Sequence, residues 1–290
     1  MKNNRILNHY LRYEVIQEIV EFSKDKWIAV HCNKSGNDGK QLMFRYFPNS
    51  RKPLKINSEE DFKRLFMTMV EYEPRTFYAS VNIYGKIDRL EDVLDRGNIV
   101  RSTPTWDIDS LDADYRKVIY MIREIVEVLD GFNISKSIII KWSGRGAHIH
   151  IHPNAFSPEL YSKIDPLNVA YSVTEYVLRK VSVIEGVKVE NKIDLGRVFT
   201  TPLSIHRELD RVAVCIDLDK LEEFDLSWTE IDNFRHSSSW RKYDVGEADE
   251  LAERAFIEVG PYIYKGRRKR VHKPLDKQII DTFNRFKDLL

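Results

Sequence analysis

Trp106-Asp107-Ile108-Asp109 and, further along, Ser143-Gly144-Arg145-Gly146-Ala147-His148-Ile149-His150-Ile151-His152 are the stretches that say most about how this chain folds. Residues alternate across a strand, so Asp107 and Asp109 share one face while Trp106 and Ile108 take the other. Two carboxylates aimed at one spot repel each other unless a cation lies between them. The second stretch is a turn with two glycines, a serine and an arginine, feeding a strand. On that strand His148, His150 and His152 fall on one face and Ala147, Ile149 and Ile151 on the other. The glycines let backbone amides approach an anion, Ser143 offers a hydroxyl, and Arg145 offers a forked, permanently charged donor. Metal-binding carboxylates facing phosphate donors point to phosphoryl or nucleotidyl transfer.

Each stretch also has a plainer reading. The aspartates can cap a helix starting near Asp112, or mark a nucleotide-sugar site. The glycine turn can be an ordinary hairpin, or His-x-His a zinc site, although zinc lacks an obvious third soft ligand. A third stretch, Lys192-Ile-Asp194-Leu-Gly-Arg197, runs on toward Pro202-Leu-Ser-Ile-His206. Alternation puts Lys192 and Asp194 on one face, a third carboxylate beside a phosphate-neutralising lysine. Taken alone, it is an ordinary strand and turn.

On either side of these stretches, the periodicity predicts a strand over Val100–Asp109 and a helix over Asp112–Asp130, with Val118, Ile122, Ile125 and Leu129 on one stripe and Gly131 as its stop. Strands follow over Ser137–Trp142 and Ala147–His152, a helix over Pro166–Ser182, and strands over Lys192–Phe199 and Val212–Asp217. The order β-α-β-β-α-β is that of the split βαβ, or RRM-like, arrangement. There the helices cover one sheet face and leave the other open for Asp107, Asp109 and the histidines. Upstream, residues 8–25 read as one helix. Trp27–His31 and Leu42–Phe47 read as strands, Ser58–Met69 as a helix opened by a capping serine, and Thr76–Tyr84 as a strand. Beyond about residue 220 the chain turns polar and helical, and Lys265–Lys273 carries six Lys or Arg. That run is either a solvated edge or a template-phosphate contact. Trp240, Tyr262 and Tyr264 either stack on single-stranded bases or pack in a core.

Composition narrows the classes. The 290 residues are 42% apolar, enough for one large domain or two small ones with a real core. No 18-residue apolar run and no charged-then-apolar leader is present, which argues against a membrane span or secretion. A net charge of +1 means that any nucleic-acid affinity comes from local patches. The two cysteines, Cys32 and Cys215, sit in apolar runs and read as buried thiols in a reducing cytoplasm.

The three stretches, in this order, resemble the motifs of the archaeo-eukaryotic primase superfamily, its small catalytic subunits and primase-polymerases. Trp106-Asp-Ile-Asp109 resembles the metal-binding Asp-x-Asp. Ser143-Gly-Arg-Gly-Ala-His148 is similar to the motif whose serine, arginine and histidine hold the incoming triphosphate. Pro202-Leu-Ser-Ile-His206, followed by Val212–Asp217, resembles the third, whose histidine also contacts the nucleotide. There are departures: the turn holds one arginine where small subunits have two, and Thr200 stands where they carry a basic residue. The stretch between the first two motifs has no cysteine or histidine for a zinc knob. Asp194-Leu-Gly looks like the primase-polymerase branch, so the resemblance makes Asp194 the third metal carboxylate, with Glu190 as the alternative.

The resemblance implies an α+β fold, with a catalytic core over 1–220 made of an N-terminal α/β module (about 1–98) and an RRM-like module (about 99–220). A basic, mostly helical extension (221–290) packs on that core. It implies a template-directed nucleotidyltransferase in which Asp107, Asp109 and Asp194 hold two Mg²⁺ or Mn²⁺ ions. Ser143, Arg145, His148 and His206 hold the NTP or dNTP phosphates, with Lys192 and Arg197 as further contacts. No zinc is expected. The expected partners are single-stranded DNA template and primer, and a large primase subunit or other replication and repair proteins, away from any membrane. Two rivals stand beside this reading: a non-catalytic RRM-like single-stranded nucleic-acid-binding protein, and an Asp-x-Asp nucleotide-sugar transferase.

Overall fold

Pro104 breaks in two what the sequence presents as one strand. The run Val100–Asp109 forms two strands, Ile99–Ser102 and Thr105–Ser110, which belong to different sheets. Proline has no N–H to give a ladder, and Pro104 instead accepts from the Ile151 N–H through its carbonyl (3.2 Å). The chain passes from the first sheet to the second here.

The computed structural model describes residues 2–36 and 39–263, so Tyr264 and the basic run Lys265–Lys273 lie outside the described residues. The first part of the chain forms α1 (Lys2–Tyr10), α2 (Tyr13–Ser23), β1 (Lys26–Ser35), β2 (Gln41–Phe44), α3 (Glu59–Met69), β3 (Pro74–Tyr84) and β4 (Ile99–Ser102). The second forms β5 (Thr105–Ser110), α4 (Tyr115–Asp130), β6 (Ile138–Trp142), β7 (Gly146–Ile151), α5 (Pro158–Lys163), α6 (Pro166–Leu178) and β8 (Val187–Asn191). It closes with β9 (Val198–Thr200), β10 (Val214–Ile216) and α7 (Asp249–Val259). The fold is α+β with antiparallel pairing throughout both sheets.

Local chemistry explains the boundaries. The helix expected over residues 8–25 is two, because Arg12 is extended (φ −69°, ψ 129°) and its carbonyl starts α2 by accepting from Val15 and Ile16. Ser58 caps α3 by accepting the Asp61 N–H (3.1 Å), as the sequence suggests. α4 begins at Tyr115, capped by Asp114, which accepts the Arg116 N–H (3.0 Å), and ends at Gly131. Capping therefore falls to Asp114 and leaves Asp107 and Asp109 on their strand. The strand expected over Lys192–Phe199 is mostly a turn, with β8 ahead of it and the short β9 behind. Asp194 accepts the Gly196 N–H (2.8 Å) and thereby folds the chain back on itself. The region past 220 is mainly short 3-10 turns before α7, where Trp240 packs edge-on against Phe22 in the core.

The first sheet has the order β2-β1-β3-β4, with β9 also pairing β3; the second has the order β10-β6-β7-β5-β8. In the second sheet Trp106, Ile108, Ile140, Trp142, Ala147, Ile149 and Ile151 are fully or almost fully buried. They face α4 and α6, whose stripes Val118, Ile122, Ile125 and Leu129, and Val169, Val173 and Val177, join the same core. Burial of each such large side chain contributes about 1.5–3 kcal/mol. Trp106 is also tied to α6 by its indole N–H, which donates to the Thr174 carbonyl (3.0 Å). The other face carries the polar residues, and it is not open to water as expected. Phe199 of β9 lies on His148 (ring centroids 4.6 Å apart) and His150, and Phe22 of α2 lies on Lys141. Both cysteines are free and buried. No helix among the described residues is long and apolar enough to cross a membrane.

Candidate metal centre and phosphate turn

One polar row crosses all five strands of the second sheet. The register pairs Cys215 with Lys141, Lys141 with His148, His148 with Asp107, and Asp107 with Glu190. Directly opposed residues share a face, so this row presents its side chains on the side away from α4 and α6. One step along β5, Asp109 pairs with Gly146 on one side and Lys188 on the other. The sheet register thus fixes the carboxylates next to the glycine turn.

Asp107, Asp109 and Glu190 bring one carboxylate oxygen each within 4.8 Å of one another. Asp107 is buried, and the other two are partly exposed. The ammonium of Lys192 sits among them. It pairs with Asp107 and reaches Glu190 at 3.0 Å and Asp109 at 3.6 Å. Burial opposes the charge on Asp107, but His148 (Nε2 to Oδ1, 3.2 Å) and Lys192 outweigh it and hold the carboxyl well below the usual range. Burial likewise opposes the charge on Lys192, yet Asp107, Glu190 and Asp109 hold it above an ordinary lysine. Burial lowers His148 against the opposing pull of Asp107, whose carboxylate its Nε2 faces at 3.2 Å. Glu190 is held low by Lys188 first and then Lys192. Hard oxygen donors of this kind suit Mg²⁺ or Mn²⁺, and the ammonium among them is itself a stand-in cation. The donor set fits a divalent metal.

Asp194 does not join this group. Its carboxylate accepts from Arg197 (2.9 Å) and from the Gly196 amide, while Arg197 also donates to the Lys192 carbonyl (2.7 Å). Arg45 ties down the same turn through the Gly196 carbonyl (2.7 Å). The structure therefore engages Asp194 and Arg197 with each other, and places Lys192 on the carboxylates rather than on the phosphate turn.

Ser143–Gly146 is a tight hairpin turn in which the Ser143 N–H donates to the Gly146 carbonyl (2.9 Å). Gly144 has φ +132°, in the region that disfavours side chains, and a Cβ there would overlap the His206 ring. A Cβ on Gly146 would overlap the Ile108 carbonyl. The glycines thus serve two close approaches, one to His206 and one to the strand of the aspartates. His206 Nδ1 accepts the N–H groups of Glu208 (3.1 Å) and Leu209 (3.0 Å), so the neutral ring carries its proton on Nε2. Burial lowers this ring to about 4. Arg145 is largely exposed and pairs with Glu208 (3.2 Å), which also pairs with Arg207. The turn and His206, separate in sequence, form one basic, donor-rich corner.

Two contributors carry weak sequence signals. Arg75, nearly buried at the start of β3, donates to the carbonyls of His206 and Leu209 (2.8 Å each) and to Asp210, and so shapes the loop that presents His206. An arginine within an apolar strand is its only trace in the sequence. Phe199 roofs His148 and His150, and nothing distinguishes it in sequence from any core phenylalanine.

The backbone is similar to a solved structure, the polymerase domain of Ligase D from Mycobacterium tuberculosis in complex with DNA. The TM-score is 0.52 and the identity 10%, with 89% of this chain and 90% of that chain covered. The two chains share a fold. No protein-family model matches the chain, and no curated protein matches it. At this identity the likeness is one of backbone, so the chemistry rests on the chain's own side chains.

Proposed function

We propose that this protein is a metal-dependent, template-directed nucleotidyltransferase of the primase-polymerase kind. One observation carries the proposal: the Asp107–Asp109–Glu190 carboxylates lie on strands whose register puts them beside the Ser143–Gly146 turn and His206, within a fold shared with a polymerase domain. The strand order β6-β7-β5-β8, with two helices on one face, supports an RRM-like module within about 99–220, from which β4 and β9 pair into the sheet of the N-terminal α/β module over about 1–98.

Asp107, Asp109 and Glu190 would hold Mg²⁺ or Mn²⁺, which supplies activation of an attacking hydroxyl and charge stabilisation on the leaving pyrophosphate. Glu190 takes the place that the family resemblance gives to Asp194. His148 holds the Asp107 carboxylate by donating from Nε2. Ser143, Arg145 and the Nε2–H of His206 bind the β- and γ-phosphates of an NTP or dNTP, with the amides of the glycine turn beside them. A primer 3′-hydroxyl then attacks the α-phosphorus, the new phosphodiester forms, and the bond to pyrophosphate breaks. Most of the rate comes from positioning and preorganised charge. Single-stranded DNA, as template, is the expected polymer partner, in keeping with the DNA bound to the Ligase D domain.

The reading is tested by offering single-stranded DNA with and without an annealed primer, together with NTPs or dNTPs and Mg²⁺ or Mn²⁺. Products whose sequence complements the template support it. Turnover of a sugar nucleotide without template, and no incorporation under any of these conditions, replaces it.

A further inference from the structure

Beside His150, two hollows share Phe22, Lys26, Thr103 and His150 in their lining, and the smaller also touches Phe199. The larger has a volume of about 140 Å³ and is also bounded by Lys24, His152 and Asn154. That is roughly ten times the ~10–15 Å³ that admits one water.

The polar groups around this space are unanswered. His150 is 2% exposed, and its Nδ1 is engaged by the Thr105 hydroxyl (2.7 Å), yet its Nε2 has no partner. The Thr103 hydroxyl is buried without a partner, and so is the Lys141 ammonium behind Phe22. Lys26 and Lys141 lie 4.0 and 4.6 Å from the centre of the same Phe22 ring. Burial, with Lys141 facing it, pushes Lys26 down to about 7, and burial pushes Lys141 down to about 8. Glu21 also borders the larger hollow, but its carboxylate is held by Arg241 (2.7 Å).

Buried charges are normally paired. Water can answer the orphan donors but cannot neutralise two ammoniums that share one ring. A halide would use few of these donors in so large a space. We propose that this pocket, built by Lys26, Thr103 and His150 with Lys141 behind them, binds one phosphate-class oxyanion. Its oxygens accept from Lys26 Nζ and Thr103 Oγ1, and its charge answers both lysines. The site is separate from the proposed nucleotide corner and does not depend on the metal chemistry. The phosphate comes either from solution or from the backbone of a bound strand.

The test is thermal unfolding of the full chain in inorganic phosphate against sodium chloride at equal ionic strength. Wild type gains a saturable rise in Tm with phosphate, as a ligand bound only by the folded state must give. Lys26→Met loses that rise, while Arg145→Ala and Asp107→Ala keep it. Thr103→Val, which preserves shape and removes only the hydroxyl, weakens phosphate binding several-fold and covers the case in which Lys26→Met does not fold. Phosphate acting no better than chloride on wild type overturns the proposal, as does a full response in Thr103→Val and Lys26→Met. Single-stranded oligonucleotide binding then separates the sources. A several-fold loss of affinity in Lys26→Met, with phosphate competing, assigns the site to a strand backbone, and unchanged affinity assigns it to free phosphate.

Discussion

Glu190 stands directly opposite Asp107 across the β5–β8 pair, and its carboxylate closes a group with Asp107 and Asp109. Asp194, on the turn just beyond, spends its carboxylate on Arg197 and the Gly196 amide. Glu190→Gln is therefore expected to weaken Mn²⁺ binding by about 100-fold or more, since loss of groups that merely support a metal ligand already costs ~10–100-fold. Asp194→Asn should leave Mn²⁺ affinity within a few-fold. Calorimetric titration of both variants checks this, and a greater loss in Asp194→Asn reverses the assignment.

Gly144 and Gly146 are expected to fail in different ways. Gly144→Ala places a methyl against the His206 ring at φ +132°, so it should raise KM for the nucleotide by displacing the turn and the histidine together. Gly146→Ala drives a methyl into the Ile108 backbone, which cannot move without opening the β5–β7 ladder. That variant should lose at least about 2 kcal/mol of stability. Urea unfolding and steady-state kinetics of the pair distinguish the two effects, and equal stabilities would contradict them.

His9 should make the fold sensitive to mild acid. It is buried, its Nε2 donates to the Leu203 carbonyl (2.7 Å), and burial lowers it to about 4. The unfolded chain binds a proton near the ordinary histidine value of ~6.5, while the folded chain resists until about 4. The contribution is thus complete above pH ~6.5 and is lost as pH falls toward 4, at up to about 1.4 kcal/mol per pH unit. His9→Gln, which keeps a donor for Leu203, should flatten the stability profile between pH 7 and 5. Identical slopes for wild type and variant would refute this role for His9.

Much of this arrangement is legible in the order of residues alone. The alternation in Trp106–Asp109 and Ala147–His152 separates the core face from the polar face correctly, and the serine cap of α3 is where Ser58 suggests. What is not legible is long-range. Periodicity continues through Pro104 as if the strand did, although proline moves the chain to another sheet. Alternation places Lys192 and Asp194 on one strand face, but an Asx turn folds that segment and leaves Glu190, two residues ahead of Lys192, as the register partner of Asp107. Register depends on which strands pair, and single-sequence patterns do not carry that information. The roof of Phe199 and Phe22 over the polar face comes from outside the second sheet, so no local pattern in that sheet could announce it.

Everything proposed for the carboxylates rests on Asp107 and Asp109 supporting metal-dependent nucleotide addition. The decisive measurement is extension of a labelled primer on single-stranded DNA in Mn²⁺, comparing wild type with the Asp107→Ala, Asp109→Ala double variant. Templated products are expected from wild type and none from the double variant, with the circular dichroism of the two unchanged. Undiminished extension by a folded double variant would remove the aspartates from the chemistry and the proposed function with them.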